Sequence, residues 1–159
     1  MTWDFLLWLF VLIINSGLVG RTTYALICLT DLEQDFINPY DLSNRLNRFV
    51  IAEYAGQFIM TAALIAGGKW FCAALHIAVS AYMITLFVKK QVYIDATDAF
   101  KQLKGQKFRR GVIFGCYCFS FVMVVFRLVE TIVHQMLTPE GRETARKLFK
   151  EAAVTLPGY

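Results

Sequence analysis

Charged residues are scarce in this chain. Aspartate, glutamate, lysine and arginine make up 18% of its 159 residues, whereas a soluble domain contains about a quarter. Apolar residues make up 57%, and the charges are bunched so that long stretches carry almost none. A soluble core of this chain length could not bury such stretches. The composition therefore excludes an ordinary soluble domain and favours a small integral membrane protein.

Proline is also scarce, and none of the three prolines interrupts an apolar run. A helix that crosses the bilayer needs about 20 apolar residues, and the alternating segments of about 10 residues typical of a membrane β-barrel are missing. The sequence predicts an all-α integral membrane protein with four transmembrane helices, at about residues 3–29, 49–66, 70–88 and 111–134. These runs define a membrane domain at 1–137, followed by a tail at 138–159 in which Thr138 and Pro139 predict the start of another helix.

The first apolar run lacks the basic start and the cleavage site of a signal peptide, so we interpret it as a retained helix.

Lysine and arginine are unevenly distributed between the connections, and this bias predicts the orientation. The connections 28–48 and 89–110 hold nine basic residues, against five in the 67–69 turn and the tail. Because cytoplasmic loops carry the excess, we expect two cytosolic loops, a short luminal hairpin at 67–69 and luminal termini.

Motifs of catalysis and metal binding are absent from the sequence. It has no G-x-S-x-G, no H-E-x-x-H, no phosphate loop and no dinucleotide fingerprint. Cys116 and Cys118 point to different faces of a helix, and His76 and His134 have no second ligand at metal spacing. The cysteines are interpreted as small apolar side chains, with palmitoylation of Cys28 as an alternative. We therefore expect no enzymatic activity, metal or cofactor.

An acidic segment follows the first apolar run. Its turn and acidic residues are Asp31, Glu33, Asp35, Asn38, Pro39 and Asp41. With two arginines, the connection 28–48 has a net charge of −2, whereas seven basic and two acidic residues give 89–110 a charge of +5. We expect the two connections to attract each other, by about 0–1 kcal/mol per exposed pair, and a merely solvated loop is the alternative. The basic connection lies close to the membrane, so anionic lipid suits it better than nucleic acid.

Four ionisable residues lie within the predicted spans, where charges are costly and usually face protein or water. Arg21 and Glu53 lie near the same end of neighbouring helices and are candidates for pairing. Arg127 and Glu130 are three residues apart on one helix and are also candidates to pair. Structural pairing or snorkelling is the alternative to a functional role for these residues.

One face of the first span carries small residues. Gly17 and Gly20, with Ser16, would let another helix approach closely. The approaching helix can belong to another membrane protein or to the chain itself, and the sequence leaves both alternatives open.

The segment LTDLEQDFINP at 29–39, followed by Asn47 and Glu53, resembles the hallmark segment of the cornichon family. The similarity extends from the Trp3-Asp4 opening to residues 123–128 and is strongest to the plant and fungal members.

This resemblance implies a cargo receptor of the endoplasmic reticulum membrane. Such proteins bind transmembrane cargo within the bilayer and the COPII coat in the cytosol, and they cycle to the Golgi in transport vesicles. The candidate cargo-contact residues on the first two spans are Gly17, Gly20, Arg21 and Glu53.

The resemblance also implies a coat contact, because fungal members use a short hydrophobic and basic motif in the last cytosolic loop. The corresponding residues here are Ala99, Phe100, Lys101, Gln102 and Leu103, with Ala99 in place of a larger aliphatic residue. Phe100 and Leu103 are three residues apart, so on a helix we expect both side chains to project from the same side, flanked by lysines. Insertion of this apolar pair into the membrane interface is the alternative.

Two other functions compete with a non-enzymatic cargo receptor. One is an auxiliary subunit that stays with a channel or transporter at its destination. The other is a small transporter or membrane enzyme that uses the four charges within the spans. The spans lack the glycine and proline breaks of transporter sites, which argues against the second.

Overall fold

The computed structural model describes residues 2–155, so Met1 and the last four residues of the predicted tail lie outside the described range. The helices are α1 (Thr2–Glu33), α2 (Pro39–Asn47), α3 (Val50–Ala66), α4 (Trp70–Val88), α5 (Ala99–Leu137) and α6 (Pro139–Thr155). Within this described range, four stretches are long and apolar enough to cross a membrane: Trp3–Glu33, Pro39–Ala66, Trp70–Val88 and Ala99–Leu137. The prediction of a helical chain with four such stretches is confirmed.

The long helices form a bundle with two ends. The terminal end comprises the start of α1, the 67–69 turn and the end of α5, and there Lys69 Nζ lies 2.8 Å from Asp4 Oδ1. The loop end comprises α2, residues 89–98 and the start of α5, and there Lys107 pairs with Glu33. Helices α1 and α5 run antiparallel and share the most extensive contact in the bundle.

Three of the long helices end in the same kind of turn. Asp35 after α1, Gly68 after α3 and Lys90 after α4 have φ values of 59°, 67° and 54°, in the left-handed region. After α1, Phe36 N donates to Asp31 O at 2.8 Å, which satisfies a carbonyl that the helix end would leave free. These turns send the chain sharply back at both ends of the bundle.

The acidic segment is mostly helical, so its interpretation as a loop is wrong. Helix α1 continues past the predicted end at residue 29 to Glu33, so the first two acidic residues lie on its last turn. The next helix begins at Pro39, and Asn38 caps it: its Oδ1 accepts hydrogen bonds from Tyr40 N at 2.7 Å and Asp41 N at 3.1 Å.

Two hydrophobic clusters lie along the bundle. The first lies between α1, α3, α4 and α5 and includes Trp8, Met60, Met83 and Tyr117. The second lies at the loop end and consists of Ala25, Cys28, Leu29, Leu32, Leu42, Leu46, Ile94, Ala99 and Leu103. The second cluster gives α1 and α5 apolar partners beyond the predicted spans, which explains why both helices are longer than their apolar runs.

The tail forms α6, which begins at Pro139 as predicted and packs against the end of α5. The hydroxyl of Thr138 donates to Gln135 O at 2.7 Å, so this side chain bonds to the end of α5. The Thr138 carbonyl accepts the first backbone hydrogen bond of α6, from Arg142 N at 3.0 Å.

Candidate interaction surfaces

A polar clamp joins the two connections at the loop end. Asn47 Nδ2 donates to Ile94 O at 3.0 Å, and Asn47 Oδ1 accepts from Ile94 N at 2.9 Å. Ser43 Oγ donates to the same carbonyl at 2.7 Å. One asparagine thus satisfies both backbone groups of Ile94, whose side chain is buried in the second cluster. This clamp fixes α2 against the segment that leads into α5.

The expected attraction between the acidic and basic connections is confirmed by one ion pair, Glu33 with Lys107. Asp41 is paired within α2, with its Oδ2 2.8 Å from Arg45 Nη2. Both pairs are substantially exposed, so each contributes about 0–1 kcal/mol. The clamp and the buried leucines of α2 therefore stabilise this arrangement more than the charges do.

Arg21 interacts with α2. Its Nη2 donates to Leu46 O at 2.9 Å, and the guanidinium lies 5.5 Å from the centre of the Phe49 ring. Leu46 belongs to the last turn of α2, where carbonyls lack helical partners and the helix dipole is negative. Arg21 therefore stabilises the end of α2, a role that the sequence did not suggest.

Glu53 is buried and is paired with Arg110 rather than with the candidate partner Arg21. Glu53 Oε2 lies 3.5 Å from Arg110 Nη1, and the two side chains are 7% and 10% exposed. This position removes Glu53 from the surface that a cargo helix could contact. The other expected pair is confirmed, since Arg127 Nη1 donates to Glu130 Oε2 at 2.8 Å.

Gly17 and Gly20 lie on the outer face of α1. No atom lies within 4 Å of a Cβ placed on either glycine, so neither glycine serves packing against the chain's own helices. The neighbouring Ser16 is also exposed, and its hydroxyl donates to Leu12 O at 2.7 Å. This face is therefore open and carries only small residues at its middle. The serine hydroxyl on it is already hydrogen-bonded.

The start of α5 presents only part of the candidate coat motif. Phe100 is 56% exposed and Lys101 is exposed, whereas Ala99 and Leu103 are buried in the second cluster and Gln102 is half-buried. The expectation that Leu103 is exposed beside Phe100 is wrong, because α1 and α2 cover that side of the helix. The exposed stripe runs instead through Phe100, Lys104 and Phe108 at intervals of four residues.

Phe108 was not among the candidate residues, although its spacing from Phe100 was visible in the sequence. It is 74% exposed and lies three residues before the apolar run that starts at Gly111. At about 1.5 Å per residue, Phe108 is about 4.5 Å along the axis from that run, and Phe100 is about 16 Å from it.

A buried polar layer joins α3, α4 and α5. Gln57 Nε2 donates to His76 O at 3.0 Å and to Ser80 Oγ at 3.1 Å, and His76 Nε2 lies 2.6 Å from Ser120 Oγ. His76 received no role from the sequence. The sequence pattern that could have predicted this layer is a spacing of four residues. It puts His76 and Ser80 on one face of α4, and Gln57 and Thr61 on one face of α3.

Comparison with known proteins identifies the family. The model of the Cornichon protein family matches residues 5–126. The chain belongs to the cornichon family. The rice (Oryza sativa subsp. japonica) protein cornichon homolog 2 is 38% identical to this cornichon protein over 133 residues, which cover 84% of the chain and 89% of the relative.

Two fungal relatives carry names that refer to vesicles. The ER-derived vesicles protein erv14 of Schizosaccharomyces pombe is 27% identical over 78% of this cornichon protein and 90% of its own length. The ER-derived vesicles protein ERV15 of Saccharomyces cerevisiae is 33% identical over 69% of the chain and 78% of its own length. No solved structure gives a significant match.

The family match includes the acidic segment, the clamp, the glycine face and the start of α5. It ends within α5 and leaves out α6. The matched range thus contains the loop end and the exposed residues of the outer face of α1.

Proposed function

We propose that this cornichon protein is a cargo receptor that selects transmembrane proteins in the endoplasmic reticulum for export to the Golgi in COPII vesicles. Family membership and the vesicle-related names of the fungal relatives support this proposal. The structural observation that carries it is the open face of α1, which suits a client helix within the bilayer. In this proposal the protein is a non-enzymatic adaptor, with one surface for the client and another for the coat.

The client surface follows a regular spacing along α1. Its exposed residues are Leu6, Phe10, Ile13, Gly17, Gly20, Tyr24 and Ile27. They alternate at intervals of four and three, the spacing that keeps one helix in continuous contact with another. Large apolar side chains flank the two glycines, so a client helix would come closest in the middle of the stripe and pack against side chains at either end.

The coat surface is the exposed stripe at the start of α5. Phe100 lies farther along α5 from the apolar run than Phe108 does, and Lys101 and Lys104 lie near Phe100. Burying an exposed phenylalanine against a partner yields about 1.5–3 kcal/mol, which suits a reversible contact. Phe108 is placed to anchor the helix in the membrane interface.

Phe100→Ala should reduce the entry of this protein and its client into COPII vesicles by about tenfold or more, since it removes about 1.5–3 kcal/mol of apolar contact. The client should remain bound to the variant in the reticulum. A vesicle budding reaction followed by quantification of both proteins measures this. Leu103 is unsuitable for the test, because truncating a buried leucine costs about 2–5 kcal/mol of stability.

Phe108→Ala is the matched control, with the same side chain removed from the same stripe. It should leave vesicle entry close to the wild-type level. Normal export of Phe100→Ala, or an equal loss in both variants, would argue against a coat contact at Phe100.

The proposed orientation places the loop end in the cytosol and the terminal end in the lumen. Nine basic residues in the two loop-end connections, against five in the turn and tail, support it. Glycosylation acceptor sites added well clear of the membrane before α1 and within the tail should be modified, whereas a site in 89–98 should not. Modification at 89–98 with unmodified sites at both termini would invert the orientation.

A further inference from the structure

A cavity of about 520 Å³ lies at the terminal end of the bundle, away from both proposed surfaces. Its charged lining residues are Asp4, Lys69, Arg127 and Glu130, and Trp8, Thr131, His134 and Gln135 lie beside them in the lining. Its volume lies within the range of about 300–1,000 Å³ that small-molecule sites occupy. The cavity is bounded by α1, the 67–69 turn and the start of α4 on one side and by α5 on the other.

Each side of the cavity carries an ion pair. Lys69 Nζ lies 2.8 Å from Asp4 Oδ1, and Arg127 Nη1 lies 2.8 Å from Glu130 Oε2. An ammonium has three donors, a guanidinium has five, and each carboxylate has a second oxygen, so both pairs retain capacity for a ligand. The four charges cancel, which favours a ligand that carries both signs over an anion or a cation.

The positions of the tryptophans indicate that this cavity lies at the level of the lipid headgroups. The chain has three, Trp3, Trp8 and Trp70, and all three lie at the terminal end. Trp3 and Trp70 are 82% and 69% exposed, and Trp8 lines the cavity with Lys69 Nζ 5.8 Å from its ring centre. Tryptophan is enriched where hydrocarbon meets headgroups, so a headgroup is the ligand that this depth supplies.

We propose that the cavity binds a zwitterionic phospholipid with a primary ammonium, the phosphoethanolamine headgroup. Lys69 and Arg127 donate to the phosphate, and the ammonium donates to Asp4 and Glu130. A choline headgroup has no N–H to donate to these carboxylates, and a glycerol headgroup brings no positive charge to them. This proposal is independent of the client and coat surfaces.

Native mass spectrometry of the full-length protein tests the proposal, with phosphatidylethanolamine, phosphatidylcholine and phosphatidylglycerol of identical acyl chains offered in turn. The wild-type protein should retain phosphatidylethanolamine about tenfold more tightly than the other two lipids. The Lys69→Gln, Arg127→Gln double variant should lose this preference. Lys89→Gln with Lys90→Gln removes the same charge at the loop end and should keep it.

A second variant locates the site without changing any charge. Thr131 lines the cavity and is half-buried, so Thr131→Phe should fill the space and abolish the preference while both ion pairs remain. Equal retention of the three lipids by the wild-type protein, a preference for phosphatidylglycerol, or a preference that survives in Thr131→Phe and in the double variant would overturn the proposal.

Discussion

Glu53→Gln should lower the free energy of unfolding by about 3–5 kcal/mol, because it leaves the Arg110 guanidinium buried without a counter-charge. The two side chains are 7% and 10% exposed, and Glu53 Oε2 is the only carboxylate oxygen within 4.0 Å of Arg110 among the described residues. Unfolding of the purified protein in mixed micelles, followed by loss of helical signal, measures the change.

Glu33→Gln is the control for this prediction. It removes one glutamate carboxylate from another ion pair, with Lys107 in place of an arginine, and that pair is about one third to one half exposed. Its loss should cost less than about 1 kcal/mol. Equal effects of the two substitutions would show that burial of the Glu53–Arg110 pair does not determine its contribution.

Gly17→Leu with Gly20→Leu should reduce capture of client proteins by about tenfold, which corresponds to about 1.4 kcal/mol of lost helix contact. The added side chains project from the outer face of α1, where nothing lies within 4 Å, so the fold should tolerate them. Co-purification of clients from membranes measures capture, and vesicle entry of the variant itself should be unchanged.

Gly111→Leu with Gly115→Leu is the matched control on α5. Both positions are also open around a Cβ, and they add the same bulk to a lipid-facing helix. Capture should stay at the wild-type level in this variant. Undiminished capture in the α1 variant, with both proteins stably folded, would show that clients bind elsewhere.

The transmembrane helices could be predicted from the sequence because the bilayer thickness fixes the length of an apolar span. Their ends could not, because tertiary contacts set them. Helix α1 continues through Leu32, which is fully buried in the second cluster, and α5 starts at Ala99 for the same reason. Neither residue belongs to the apolar run of its own helix, so the runs carried no sign of the extension.

The candidate site was predicted only where local spacing determines it. Arg127 and Glu130 pair as expected because both lie on one helix. The partner of Glu53 comes from α5, far away in the sequence, and the burial of Leu103 depends on α1 and α2. Periodicity identifies the faces of a helix, but it does not say which face the rest of the chain covers.

The most direct test of the proposed function is a comparison of the membrane proteins in the reticulum and at the cell surface, with and without this cornichon protein. Its removal should shift a defined set of transmembrane clients towards the reticulum. Reintroducing the wild-type protein should return these clients to the cell surface, and the protein itself should be recovered in recycling vesicles. The Gly17→Leu, Gly20→Leu variant should fail to restore them. An unchanged distribution, or a protein found only with one client at its destination, would contradict the assignment as a cargo receptor.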